Sequence, residues 1–300
     1  MDIVTHAMSG VILASPLART TPLTAAALVF GCVLPDLDVL SRSFGKTAFL
    51  RWHQTYTHSL PIIAIVTGVS WLIWSWLGLP EPWAPLALGA GLALHTLQDV
   101  TNTYGVGMLT PFRRRRYALA WVFFIDALVV AVSAVAVVPA GKSFFPRGAS
   151  GGGWTLGYGV FLAAYWSIRW AIRHRAGRLQ PQGTRTLVPS ALVPWRFYGY
   201  ALVEGRPRVF ELNAIRGAVR DQGEYDVFDG QYAHWLANVP EYRRMRELSP
   251  GYHVVAARKH DGKTTLVCRD LRTRNFGGKF GMLEITFDSA GQVEAKVFHV

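Results

Sequence analysis

Cysteine is scarce in this chain of 300 residues, with two in all. Cys32 lies in an apolar run and Cys268 in an expected strand, so a structural disulfide is not expected and an oxidising compartment is not implied. Acidic residues are also few, 19 against 31 Lys and Arg, which leaves a net charge of +12. No Lys or Arg precedes the first apolar stretch and no small-residue cleavage site follows it, so a removable signal peptide is not expected. Repeats, a low-complexity tail and a nucleotide-binding glycine loop are lacking too. What is abundant is apolar: the chain is 51% hydrophobic and holds 11 Trp, a residue that favours membrane–water interfaces. Basic chains usually meet nucleic acid or a membrane surface. Here the Arg clusters flank apolar runs, where topology signals sit, so a membrane is expected and nucleic acid is not.

Leu60–Leu79 is an apolar, Trp-rich run long enough to span a bilayer. Ser59 is a natural N-cap, and Pro61 suits the first turn. Trp83–Val100, Ala118–Val138 and Trp154–Ile172 read as three further spans. The third is entered from Arg113-Arg114-Arg115-Arg116, and the fourth leaves through Arg173, Arg175 and Arg178. Ala7–Leu17 and Leu23–Leu34 are shorter apolar pieces, read as tilted spans or a re-entrant pair. The Arg asymmetry puts both Arg clusters on the cytoplasmic side and the loop Pro139–Gly153, with only Lys142 and Arg147, outside.

Composition changes after Arg178. Leu283–Asp288 alternates apolar and polar residues as a half-buried strand does. Val254–Lys259, Thr264–Leu271 and Val293–His299 read the same way, with turns at Asp261-Gly262 and Ala290-Gly291. Gln231–Asn238 and Glu241–Leu248 read as short helices. The expected architecture is an α-helical polytopic membrane domain of four to six membrane segments over residues 1–178. A small, mainly β soluble domain on the cytoplasmic side follows over residues 179–300. His234, His253, His260 and His299 are scattered there and read as structural.

The unusual content of the first half is ionisable. His6, Asp36, Asp38, His53, His58, His95, Asp99 and Asp126 sit at or inside the ends of apolar segments, where such groups persist when paired, metal-bound or catalytic. With the orientation above, nearly all fall near one leaflet. His95 and Asp99 are four apart on a helix and share a face, a pairing suited to Zn, Mn or Fe rather than Ca. Asp36 and Asp38 follow a proline and converge on one cation only from irregular backbone. His53 and His58 are about 140° apart on an ideal helix, so they meet at one centre only if the segment bends, or they serve two metals. Asp126, read as lying about 15 Å deep along a helix from Arg116, must there be neutral, paired or cation-bound.

In order, the chain carries H-x-x-x-G at His6–Gly10, P-D-x-D at Pro35–Asp38 and H-x-x-x-x-H-S at His53–Ser59. H-x-x-x-D-x-T-x-x-x-G at His95–Gly105, Pro111-Phe112 and Ile125-Asp126 follow. Over residues 1–175 this pattern resembles the YdjM-type family of membrane-bound, predicted metal-dependent hydrolases. The family usually places Arg after the first His of its T-H-S segment; here Arg51 precedes His53 and Gln54 follows it.

The resemblance implies a metal site, with His6, Asp36, Asp38, His58, His95, Asp99 and Asp126 as ligands for one or two divalent ions, Zn foremost and Mn or Fe as alternatives. Such ions activate a water for hydrolysis. His53 is a further ligand or the general acid/base. Near a cytoplasmic leaflet the expected substrate is a lipid or a lipid-linked molecule. Arg51 and the Arg113–Arg116 run favour anionic, phosphate-bearing headgroups. The rival readings are a lipid amide hydrolase with ceramidase-like chemistry, a metal-ion transporter or scaffold, and a membrane anchor for an active β domain.

Overall fold

Asp2 opens the first helix, α1 (Ile3–Ala14), by accepting the Thr5 amide at 3.0 Å. Such an N-cap satisfies a donor that no helical carbonyl can reach. The computed structural model describes residues 2–113, 115–145, 151–273 and 281–299, so Arg114 and Arg147 lie outside the described residues. A proline in its first turn starts α2 (Pro22–Val33), and the Glu81 carboxylate accepts the Leu23 and Thr24 amides there at 3.2 and 2.7 Å. The α-helix ends before Pro35, which removes a backbone donor, and the chain continues as a 3-10 segment, Leu34–Phe44. The helices α3 (Lys46–Trp52), α4 (Leu60–Trp76), α5 (Ala84–Val100), α6 (Ala127–Gly141) and α7 (Gly152–Leu179) follow.

The chain divides into two units. Met1–Ser41, Trp52–Ala171 and Ala191–Pro194 form the first; Arg42–Arg51, Ile172–Ser190 and Trp195–Val300 form the second. In the first, α2 packs most extensively against α5, because two glycines meet. A Cβ on Gly31 would stand 2.3 Å from the Leu88 carbonyl oxygen, and one on Gly91 would stand 2.4 Å from that of Leu28. Small residues let helix backbones approach this closely. Ser9 on α1 and Ser133 on α6 both hydrogen-bond the Tyr158 hydroxyl of α7 at 2.7 Å, so one buried phenol joins three helices. On α4, Ile65, Val69, Leu72, Ile73 and Trp76 form an exposed apolar face.

Two described helices are long and apolar enough to cross a membrane, Pro22–Phe44 and Ala127–Phe144. The expectation of four to six segments is corrected accordingly. Helices α4 and α5 have 17 residues each, about 25 Å of rise against roughly 30 Å of hydrocarbon. Helix α7 has 28 residues, but its second half carries Arg169, Arg173, Arg175 and Arg178. Ala118–Val138 is not one helix. Residues 118–126 are irregular, Ala120 takes a φ of 50°, and the amides of Leu119, Ala120 and Trp121 donate to the carbonyls of Val100, Asn102 and Thr101.

The second unit holds two four-stranded antiparallel meanders. The first comprises β1 (Thr184–Pro189), β2 (Arg196–Val203), β3 (Arg206–Asn213) and β4 (Ala218–Glu224). The second comprises β5 (Tyr252–His260), β6 (Lys263–Asp270), β7 (Leu283–Phe287) and β8 (Val293–Phe298). The four strands expected from sequence are those of the second sheet. Strands β2 and β3 turn through Glu204-Gly205, and β5 and β6 through Asp261-Gly262; all four residues have positive φ, as two-residue hairpin loops with the twist of their strands require. The short helices α8 (Ala233–Leu236) and α9 (Pro240–Leu248) cover the second sheet, where Leu236, Tyr242 and Met245 join Val254, Leu266, Leu283, Ile285 and Phe287 in one core. Burial pushes the Cys268 thiol of this core up, which keeps it an unreactive packing group.

His253 connects the two sheets. Its Nδ1 lies 2.6 Å from Asp229 and its Nε2 lies 2.7 Å from the Tyr200 hydroxyl of β2. Burial disfavours the Asp229 charge, but hydrogen bonds from His253, Tyr242 and the Val254 amide outweigh it and hold the carboxyl below its ordinary range. Asp270 is likewise buried and likewise held down, by the charge and hydrogen bonds of Arg272. A carboxylate with a depressed folded-state pKa contributes stability that is complete above its unfolded value, about 3.9, and is lost as pH falls towards the folded value. Thermal unfolding of the protein followed through the β signal should therefore be flat from about pH 7 to 5 and fall steeply below about pH 4. Asp229→Asn should lower the plateau by about 1–3 kcal/mol and flatten the acid limb; an unchanged acid limb in that variant would contradict the assignment.

Candidate metal centre

The close approach of α2 and α5 sets the site. It brings the last turn of α5 beside the C-terminus of α2, and the His95 imidazole lies with Nδ1 2.7 Å from the Cys32 carbonyl. A carbonyl only accepts, so Nδ1 carries the proton and Nε2 keeps its lone pair. One turn on, Asp99 projects from the same face, its Oδ2 3.7 Å from His95 Nε2. The 3-10 backbone after Pro35 turns Asp36 inwards, with Oδ1 3.6 Å from His95 Nε2.

The segment between α3 and α4 supplies the fourth group. It is not helical, and Gln54 takes a φ of 57°, so His53 and His58 escape their helical divergence. The Thr57 hydroxyl donates to Asp38 Oδ2 at 2.9 Å and lies 2.9 Å from His58 Nδ1. With its proton given to Asp38, that oxygen accepts from His58 Nδ1–H, and His58 Nε2 also keeps its lone pair. Burial holds the His58 imidazole well below its ordinary range, and neighbouring His95 and His53 act in the same direction. His58 Nε2 lies 3.0 Å from His95 Nε2 and 3.2 Å from Asp99 Oδ2.

Asp36, His58, His95 and Asp99 are all buried, and each offers a ligand atom within 4.8 Å of the others. Their lone pairs face one another, while the imidazole protons are spent outwards. Among the described residues, the second oxygen of Asp36 has no hydrogen-bond partner. The imidazole Nε2 atoms and carboxylate oxygens stand 3.0–3.7 Å apart, and buried acceptors this close repel unless a proton or a cation lies among them. A tetrahedral ion with ligand bonds of about 2.0–2.2 Å has ligand atoms about 3.3–3.6 Å apart; four of the six pairs here stand at 3.0–3.7 Å and all lie within 4.8 Å, so a small inward adjustment would seat such an ion.

The other expected site residues fall around this core. Asp38 Oδ1 accepts from His53 Nδ1 at 2.6 Å, and Oδ2 accepts the Gln54 amide at 2.9 Å as well as Thr57. Its carboxylate thus positions two histidines. The His53 side chain is 31% exposed, whereas those of His6, His58 and His95 are fully buried. His6 lies behind Asp99, its Nε2 3.2 Å from Oδ1. Arg51 is exposed near the end of α3. Asp126 is not brought into the group of four. It stands at the start of α6, where its carboxylate accepts the Leu128 and Val129 amides and the Tyr165 hydroxyl. The depth expected for it presumed an unbroken helix through residues 118–126.

Sequence reasoning missed four polar residues that build the surroundings. Gln54 Nε2 donates to Asp99 Oδ2 at 3.2 Å, and its Oε1 accepts from Arg116 at 2.8 Å. Arg116 also donates to the carbonyls of Tyr104, Gly105 and His53, so this member of the arginine run braces the site. Gln98 Oε1 lies 2.7 Å from His6 Nδ1. Asn102 Oδ1 accepts the Tyr104 and Gly105 amides, which turns its Nδ2 towards Asp99 Oδ1 at 3.5 Å. The adjacency of Gln54 to His53 and of Gln98 to Asp99 was the available signal.

A helical unit with a buried His/Asp centre, joined to a β unit, defines a protein with a candidate metal site among apolar helices. The family model described as YdjM inner membrane protein matches residues 1–176, more than half of the chain, and the chain belongs to that family. The protein described as "Uncharacterized protein YfhP" from Bacillus subtilis (strain 168) is 24% identical over 191 residues, which cover 59% of this chain and 56% of that protein. The match thus spans little more than half of that relative. No solved structure matches.

Two substitutions separate packing from ligation. Gly91→Ala should destabilise the protein by about 1–3 kcal/mol and reduce metal retention, because the new methyl meets backbone; Gly68→Ala, where a Cβ meets nothing within 4 Å, is the control. Asp126→Ala should cost about 1–3 kcal/mol through the lost cap and the unpaired Tyr165 hydroxyl and leave metal content unchanged. Thermal unfolding in detergent with elemental analysis reads both.

Proposed function

We propose that this protein is a membrane-bound, metal-dependent hydrolase that acts at the cytoplasmic leaflet on a lipid or a phosphate-bearing, lipid-linked substrate. The observation that carries the reading is the inward convergence of four buried ligand atoms from Asp36, His58, His95 and Asp99, with both imidazole Nε2 lone pairs turned inwards. A divalent cation held there, with its coordination expanded beyond the four protein groups, would supply Lewis acidity that makes water a nucleophile near neutral pH and polarises a phosphoryl or carbonyl oxygen.

The chain's own groups do the rest. His58 and His95 are locked in the ligand tautomer by Thr57 and by the Cys32 carbonyl, the outer-shell support that fixes ring orientation at metal sites. Asp38 holds His53 through Nδ1 and directs its Nε2 away from that carboxylate. A partly exposed imidazole backed by a carboxylate is suited to take a proton from the attacking water and return it to the leaving oxygen. Arg113, exposed in the helical unit, is the proposed contact to an anionic headgroup. The cytoplasmic placement rests on the positive-inside bias of the arginine clusters.

Wild-type protein purified in lipid nanodiscs should retain Zn, Mn or Fe and release product from a phospholipid or lipid diphosphate in a panel of phosphoester and amide lipids. His95→Ala and Asp99→Ala should lose both metal and turnover. His53→Ala should keep the metal and lose turnover by about 10²–10⁴-fold. Metal-free wild-type protein, or metal flux in liposomes with no hydrolysis of any lipid, would refute the reading. Cleavage confined to the amide lipids would replace the phosphoester with a lipid amide as substrate.

A further inference from the structure

The four-residue group uses one side of Asp99. Its Oδ2 faces His58 Nε2 and His95 Nε2, at 3.2 and 3.7 Å. Its Oδ1 faces His6 Nε2 at 3.2 Å, on a carboxylate that is fully buried. The His6 ring stacks on the His95 ring with centroids 3.7 Å apart and planes 23° from parallel. The two stacked imidazoles thus present their Nε2 atoms to the two oxygens of one carboxylate. His6 Nδ1 lies 2.7 Å from Gln98 Oε1. As an amide oxygen only accepts, His6 carries its proton on Nδ1, and Nε2 meets Asp99 Oδ1 as a second contact between acceptors.

We infer that His6 Nε2 and Asp99 Oδ1 form a second divalent-cation position, with Asp99 bridging it to the first. The inference rests on the metal centre proposed above and deepens it. Metal pairs that share a bridging carboxylate sit about 3.5–4 Å apart, which matches the spacing of the stacked rings. With two protein ligands assigned against four at the first position, the second ion binds more weakly, loads last and leaves first. Gln98 and Asn102 act as positioning residues. Gln98 sets the His6 tautomer, and Asn102 directs a donor at Asp99 Oδ1.

The competing arrangement has the Gln98 amide turned over, with its NH2 donating to His6 Nδ1 and His6 Nε2–H donating to Asp99. His6 is then only a support for a one-metal site. Titration of the detergent-solubilised full chain with Mn²⁺, followed by equilibrium binding and electron paramagnetic resonance, separates the two. Wild type should bind two equivalents in two steps, the second at least tenfold weaker, and the second should bring a spin-coupled spectrum. His6→Ala and His6→Gln should each keep the tight step and lose both the weak step and the coupling, and the retained tight step reports an intact fold. Asp99→Asn should lose the coupling and weaken both steps. A single uncoupled equivalent in wild type, or two coupled equivalents in both His6 variants, would overturn the second site and leave the first standing. No tight equivalent in wild type would instead remove the first site and the hydrolase reading with it.

Discussion

Buried imidazole and carboxylate lone pairs are the constraint around which the helical unit is organised. Imidazole and carboxylate groups lose hydration when apolar helices close over them, and only hydrogen bonds or a cation can offset that loss. In this chain the hydrogen bonds are made on the outward edge of each group: Cys32 for His95, Thr57 for His58, Gln98 for His6, and Thr57, Gln54 and His53 for Asp38. The inward edges face one another, with Gln54 Nε2 donating to Asp99 Oδ2 beside them. A set built in this way is preorganised, since the ligands hold tautomer and direction before anything binds them.

The backbone had to come close for this to work. A helix carbonyl at Cys32 can orient His95 only because Gly31 and Gly91 let α2 and α5 touch main chain to main chain. Irregular backbone does the complementary task. The 3-10 segment after Pro35 separates Asp36 from Asp38, so that one faces the centre and the other supports His53 and His58. The left-handed turn at Gln54 sends its amide to Asp38 and its side chain to Asp99 and Arg116. Regular helices carry half of the group of four, and broken backbone carries the rest.

Much of this was legible in the chain. The H-x-x-x-D pair on α5, P-D-x-D after an apolar run and the His53–His58 segment are local patterns, and local patterns survive folding. The second sheet was legible as well, because β5–β8 alternate and Asp261-Gly262 is a turn that declares itself. The first sheet was not. Strand β4 is almost wholly exposed, and Glu204-Gly205 begins with a residue that rarely takes positive φ. Apolar composition overstated the number of membrane segments, since hydropathy does not register where a helix stops. The irregular stretch before Asp126 made that carboxylate a helix cap held by Tyr165, a partner 39 residues away.

The sequence alone determined the kinds of chemistry available, their order along the chain and their setting among apolar segments, because these depend on residue type and spacing. It could not say which acid partners which imidazole. Only the tertiary structure decided that Asp36 and Asp99 join His58 and His95, that Asp38 turns to His53, and that Asp126 stands apart. Those choices depend on Å-scale approach between segments far apart in the chain, and a glycine contact, a 3-10 turn and a carbonyl at a helix end set them.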